Sequence, residues 1–104
     1  MRALIFLFWL LSMFKIYGQG IAIIQVNAEW NMRNSIDLNG IKGARVQFAY
    51  LNEQPEALKE RIKAVPAIWV FKDGQMVKYW EADLSFKLRV RREEIQEYID
   101  SIKD

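Results

Sequence analysis

The chain has 104 residues, 52% of them apolar, with 15 Lys and Arg against 13 Asp and Glu. This is enough for one small domain with a real core, and nothing in the composition favours disorder. With no Cys and no His, disulfides, thiolate nucleophiles, the usual zinc sites and histidine acid–base chemistry are excluded, and no cofactor is expected.

Residues 1–18 read as a secretory signal peptide. Arg2 forms a short positive start, residues 3–14 are apolar except for Ser12, and small Gly18 suits the position before a cut. The apolar run is short for a bilayer span, which takes ~20 residues. The alternatives are a buried first element or an uncleaved anchor that tethers the protein through residues 3–14. Of the 15 cations, Arg2 and Lys15 belong to this leader, so residues 19–104 carry 13 cations against 13 anions. A neutral domain argues against nucleic acid, which needs a net basic field.

Residues 19–104 form the expected domain. Residues 21–28 are a β-branched apolar run interrupted by Gln25, and read as a buried strand. Residues 31–40 contain a short helix, with Ser35 as its cap and Asn39-Gly40 as its close. Residues 45–51 alternate and read as a second strand. Gln54-Pro55 opens a helix with Leu58, Ile62 and Val65 on one face, Glu56 to Lys59 as an ion pair, and Pro66 as its stop. Residues 67–71 are a third strand, Asp73-Gly74 a hairpin turn, and residues 76–81 a fourth strand antiparallel to the third. Residues 93–103 form the last helix. Ile95, Tyr98, Ile99 and Ile102 share its inner face, and Gln96 is expected on the solvent face. The order gives an α/β fold: a βαβ unit, then a ββα unit, in one four-stranded mixed sheet flanked by helices.

Three stretches carry a resemblance. Ala28-Glu29-Trp30 resembles the Ala-Glu-Trp that precedes Cys-Gly-Pro-Cys in the thioredoxin family. Val65-Pro66 before an apolar strand resembles the family's cis-proline. Phe71-Lys72-Asp73-Gly74 resembles its hairpin. The likeness implies a thioredoxin-like fold from Ile21 to Ile102. The positions matching the two cysteines hold Asn31 and Asn34, with Met32 and Arg33 between them, and Gln25 matches the family's buried carboxylate. Nucleophile, resolving thiol and proton acceptor are all replaced. Amides cannot perform disulfide exchange, which needs a thiolate. The segment from Asn31 to Arg45 is also shorter than the family's.

The resemblance places Trp30 beside the former active loop. Asn31 and Asn34 read either as contact residues or as capping and turn residues, a role that suits Asn. Val65, ahead of Pro66, implies a backbone edge to which an extended peptide can add. In residues 86–91, alternation separates Phe86, Leu88 and Val90 from Lys87, Arg89 and Arg91; an anionic partner or a solvated connecting segment both fit. Asp37, Glu53 and Asp83 show no metal-cage or paired-acid spacing.

The expectation is a periplasmic or secreted, redox-inactive binding module with no catalytic or metal residues. It holds a protein partner or extended peptide with Trp30, Asn31, Met32, Arg33, Asn34, Val65, Pro66 and the loop at 82–85. The alternatives are a membrane-tethered accessory subunit and an enzyme of another class using Ser35, Tyr79 or the asparagines. The last needs an activating group that the sequence does not display.

Overall fold

A computed structural model of the chain describes residues 20–60, 62 and 64–103; the leader expected at 1–18 lies outside them. Four strands form: β1 (Ile21–Asn27), β2 (Arg45–Tyr50), β3 (Ala67–Lys72) and β4 (Gln75–Glu81). They make one sheet in the order β2–β1–β3–β4, with β1 parallel to β2 and antiparallel to β3, and β3 antiparallel to β4. β1 is buried along its whole length. It is an inner strand with both faces covered, so its sequence is a run rather than an alternation.

Two apolar layers result. One holds Ala22, Ile24, Val26, Ala49, Ile62, Val65, Ala67, Trp69 and Phe71. The other holds Ile21, Ile23, Leu38, Ile68, Val70 and Val90, closed by Ile95 and Ile99 of the last helix, α2 (Arg92–Ile102). The β3–β4 turn places Asp73 and Gly74 at φ 52° and 84°, the left-handed pair that a two-residue hairpin needs. Asp73 also accepts the Gly20 N–H at 2.8 Å, which ties the hairpin to the start of β1.

Several sequence expectations change. No helix spans residues 31–40. Instead a 3₁₀ segment runs over Glu29–Asn34, and Ser35 flanks its C-terminal end, donating its N–H to the Met32 carbonyl. Residues 35–44 then cross the sheet irregularly, held by two glutamines. Gln25 accepts the Ile36 N–H at 2.8 Å and donates to the Ile36 carbonyl at 2.9 Å. Gln96 clasps the Lys42 N–H and carbonyl at 2.8 and 2.9 Å. Gln96 is therefore a structural clasp, not a free surface residue. Each side-chain amide supplies one donor and one acceptor, the pair that a helix or strand would otherwise give.

The alternation of β2 also fails to sort inside from outside. Val46 and Phe48 sit opposite Ile23 and Gln25 but stay exposed, because no helix covers that part of the face. The helix expected from Pro55 to Val65 contracts to α1 (Glu56–Lys59). Its Glu56–Lys59 pair forms, at 3.6 Å. Beyond it the Ile62 N–H turns back to the Lys59 carbonyl, and Ile62 and Val65 are drawn into the core. Burial of these two side chains outweighs modest helix propensity, which contributes only tenths of a kcal/mol per residue.

Candidate functional site

The C-terminal end of β1 delivers Asn27, fully buried, to the start of the 3₁₀ segment. Its amide donates to the Asn31 carbonyl at 2.9 Å and to Ser35 Oγ at 2.8 Å. Its oxygen accepts the Ala28 N–H at 2.8 Å and Asn31 Nδ2 at 3.1 Å. The group is saturated, two donors and two acceptors.

Asn31 is only 3% exposed. Besides Asn27, its Nδ2 reaches the carbonyls of Val65 at 3.2 Å and Phe86 at 3.1 Å. Its Oδ1 accepts Asn34 Nδ2 at 2.7 Å. Asn31 thus joins β1, the Val65–Pro66 turn, whose peptide bond is cis, and the loop after β4. Neither reading from sequence describes this role. Asn31 is neither a surface contact nor a helix cap, but the centre of a buried amide lock. Val65 and Pro66 are buried too. The Val65 carbonyl is taken by Asn31, and the Pro66 carbonyl accepts the Ala82 N–H at 3.0 Å. The edge expected for strand addition is closed at both carbonyls.

The loop at 82–91 lies across this lock as a strap. Asp83 accepts the Ser85 N–H at 2.8 Å, the Ser85 hydroxyl, and Arg89 Nε at 2.7 Å. The Phe86 N–H returns to the Asp83 carbonyl at 3.0 Å. Phe86 takes φ 61°, rare for a bulky residue. This turn aims its carbonyl at Asn31 and sets its ring edge-on to Trp30, with centroids 5.0 Å apart. Leu88 and Val90 pack into the helical layer, while Lys87, Arg89 and Arg91 stay outside. The cations are partly offset: Arg89 by Asp83, Arg91 by Glu94 and Arg92 by Glu93.

Hydrogen bonds from Ser85 and Arg89 hold the Asp83 carboxyl well below the usual carboxylate range. A depressed folded pKa means that the clip is complete above the ordinary value of ~3.9. It is withdrawn only as pH falls below that value toward the folded pKa. The Trp30 indole resonance is therefore expected to stay constant from about pH 8 to pH 4, and to move only in stronger acid. A transition centred above pH 4 would show that Asp83 does not hold the strap.

Around the lock four apolar side chains face solvent: Trp30 at 67%, Met32 at 37%, Phe86 at 41% and Leu84 at 98%. Arg33 is exposed beside them and Asn34 half-buried. Next to Trp30 lies a hollow of about 400 Å³ lined by Ala28, Glu29, Leu51, Asn52 and Lys59. The lock itself contains only amides, one hydroxyl and backbone carbonyls. Ser35 accepts from Asn27 and lies 3.9 Å from Met32 Sδ, with no base bonded to it. Tyr79 stands away on β4, stacked on Trp69. Burial, and then its bond to Glu81, push its phenol far above its ordinary pKa, so it keeps its proton. Among the described residues no cluster of three acidic side chains could hold a metal ion, and no helix is long and apolar enough to cross a membrane.

Solved structures supply the comparison. A mutant thioredoxin from Halobacterium salinarum NRC-1 superposes with a TM-score of 0.62 at 16% identity, over 83% of this chain and 77% of its own. A structure that gives the basis of the thiol-resolving mechanism in yeast mitochondrial 1-Cys peroxiredoxin superposes equally, at 0.62 and 17% identity, over 84% and 83%. The chain has the thioredoxin fold. No protein-family model and no curated protein matches it. In this thioredoxin-like chain an amide–amide hydrogen bond, Asn34 to Asn31, stands where the resemblance puts a pair of cysteines. With no cysteine anywhere, thiol-based redox catalysis is out of reach.

Sequence reasoning passed over Asn27 and the inward turn of Phe86. The signal for Asn27 was present: an amide inside a run of otherwise buried apolar residues must be paired. No local signal announced Phe86, since a positive φ at phenylalanine is imposed by the surrounding contacts.

Proposed function

We propose that this thioredoxin-like protein is a non-enzymatic binding module of the cell envelope or of the secreted fraction, which engages a protein partner with its amide-locked end. The observation that carries this reading is the set of exposed Trp30, Met32, Leu84 and Phe86 around an amide lock that itself holds no ionisable group. Exposed apolar clusters rimmed by polar residues mark interaction sites, and aromatic anchors dominate protein contacts. The signal-like residues 1–18 support export. Because the Val65 and Pro66 carbonyls are occupied, the partner docks through side chains rather than as an added strand.

A photo-crosslinking residue in place of Met32 is expected to capture one discrete partner in the native host. The same probe in place of Glu97, exposed on α2, is expected to capture none. Capture at Glu97 alone would move the binding face to the helix, and capture at neither would end the reading.

A further inference from the structure

Asn39-Gly40 does not close a helix, and the amide-locked end makes no use of it. The pair occupies the middle of a tight turn, in which the Ile41 N–H donates to the Leu38 carbonyl at 3.3 Å. Gly40 takes φ 89°, a value that glycine adopts without strain. The chain has five asparagines. The side chains of Asn27, Asn31 and Asn34 are committed to hydrogen bonds inside the lock. Asn52 is exposed, but the nitrogen that follows it belongs to Glu53, which carries a long side chain. Asn39 is exposed too, and among the described residues its side-chain amide has no hydrogen-bond partner. The Gly40 N–H has none either, and a Cβ built on Gly40 would meet nothing within 4 Å. Only the backbone of Asn39 is held. Its N–H donates to Asp37 Oδ1 at 2.9 Å, and its carbonyl accepts Arg92 Nη1 at 3.0 Å. Glu93 lies 4.0 Å from Nε of the same guanidinium, so that pairing leaves Nη1 on the Asn39 carbonyl.

We propose that Asn39-Gly40 is a self-modifying site, at which the Gly40 backbone nitrogen attacks Cγ of Asn39 with the help of Arg92. The N–Cγ bond forms and the Cγ–Nδ2 bond breaks. The proton lost by the Gly40 nitrogen passes through solvent to Nδ2, which leaves as ammonia. The product is a cyclic imide. Water opens it at either carbonyl, to aspartate or to isoaspartate, with no oxidation or reduction. The attacking group is the Gly40 amide after loss of its proton, and resonance spreads its negative charge onto the Asn39 carbonyl oxygen. Arg92 holds that same oxygen, so the guanidinium stabilises charge where it develops. Gly40 and Arg92 both line an open hollow of about 420 Å³, with Ile41, Glu93, Gln96 and Glu97. It admits water to the imide and lets ammonia leave. The Asp37 carboxylate faces the Asn39 N–H, one peptide before the reacting one. Opening to isoaspartate routes the main chain through the side chain and adds a methylene between Leu38 and Ile41. Leu38 is buried and Ile41 packs against the helical layer, so the product loosens the crossing segment at 35–44. The reaction limits the lifetime of the native domain and does not depend on what the amide-locked end binds.

The test incubates the whole purified chain at neutral pH and follows ammonia release, with peptide mass spectrometry to place the new acid and its isoaspartate isomer. Conversion is expected at Asn39 first, with Asn52 unchanged over the same period. Arg92→Gln is expected to slow it about threefold, the effect of one charged contact at a part-exposed site, with an unchanged circular dichroism spectrum. Arg92→Lys keeps the charge and is expected to recover part of the rate. In concentrated urea the native and Arg92→Gln chains are expected to react alike, because the contact joins residues 53 apart in sequence. An Asn39 that survives in the folded chain but converts in urea would overturn the proposal, since the turn would then be protective. Equal rates for the folded native and Arg92→Gln chains would overturn it too, leaving only the ordinary lability of an Asn-Gly pair. So would an Arg92→Lys chain as slow as Arg92→Gln, which would give Arg92 a role in shape and not in charge.

Discussion

Replacing Asn31 with alanine lowers the stability of the fold by about 2 kcal/mol and releases the strap. The side chain is 3% exposed and serves four partners: Asn27, Asn34 and the carbonyls of Val65 and Phe86. Phe86 and Asn34 lie near enough to water to be rehydrated after the truncation. Asn27 keeps the Ala28 N–H on its oxygen, but the buried Val65 carbonyl loses its Asn31 donor, and a buried polar group left without a partner costs ~1–3 kcal/mol. That carbonyl gives the expected magnitude. Urea unfolding measures it, and amide exchange at residues 83–87 reports the strap. A loss below about 1 kcal/mol, with strap protection unchanged, would show that the lock is ornamental.

Restoring cysteines at both asparagine positions does not restore redox activity. The double substitution Asn31→Cys with Asn34→Cys is expected to give a first thiol whose pKa lies above the ordinary ~8.5, and insulin reduction no faster than the uncatalysed rate. Thiolates in active Cys-x-x-Cys motifs are stabilised by a positive local field. Here the introduced sulfur takes the place of the amide carbon, behind a nitrogen that points at two carbonyl oxygens, of Val65 and Phe86, so it faces those oxygens. Carbonyl oxygens repel an anion, and burial disfavours the charged form further. Position 31 lies inside a six-residue 3₁₀ segment, Glu29–Asn34, not at the start of a long α-helix with a strong N-terminal dipole. Gln25, bonded at both ends to Ile36, cannot move a proton. Iodoacetamide reactivity against pH measures the thiol. A pKa near 7 together with insulin turnover would mean that only the two sulfurs were missing.

Both expectations describe an end of the molecule rebuilt around neutral hydrogen bonds. A thiol site needs an accessible, polarised sulfur. A binding surface needs a fixed shape, and an amide network gives that without titrating. Asn27, Asn31, Asn34 and Ser35 join strand, turn and strap through hydrogen bonds, and leave Trp30, Met32, Leu84 and Phe86 to face solvent. The strap's ionised clip of Asp83 with Ser85 and Arg89 lies outside the lock.

The sequence by itself determined the sheet. Residues 21–27 and 67–71 are apolar runs because inner strands are covered on both faces, Asp73-Gly74 supports only one kind of turn, and Ile95 and Ile99 mark the buried stripe of α2. These are local or periodic signals, so a single sequence displays them. It also determined what is impossible, since no arrangement of this chain brings a thiol or an imidazole to the site. Only the tertiary structure decided that residues 35–44 would be held by Gln25 and Gln96 instead of forming a helix, and that α1 would stop at Lys59. The same holds for the inward turn of Asn31. Its partners lie 34 and 55 residues away, at Val65 and Phe86. An asparagine looks alike in sequence whether it caps a helix, faces a partner or is buried. Which of these it does is settled by the donors and acceptors that the fold brings to it, and those come from three separate segments of the chain.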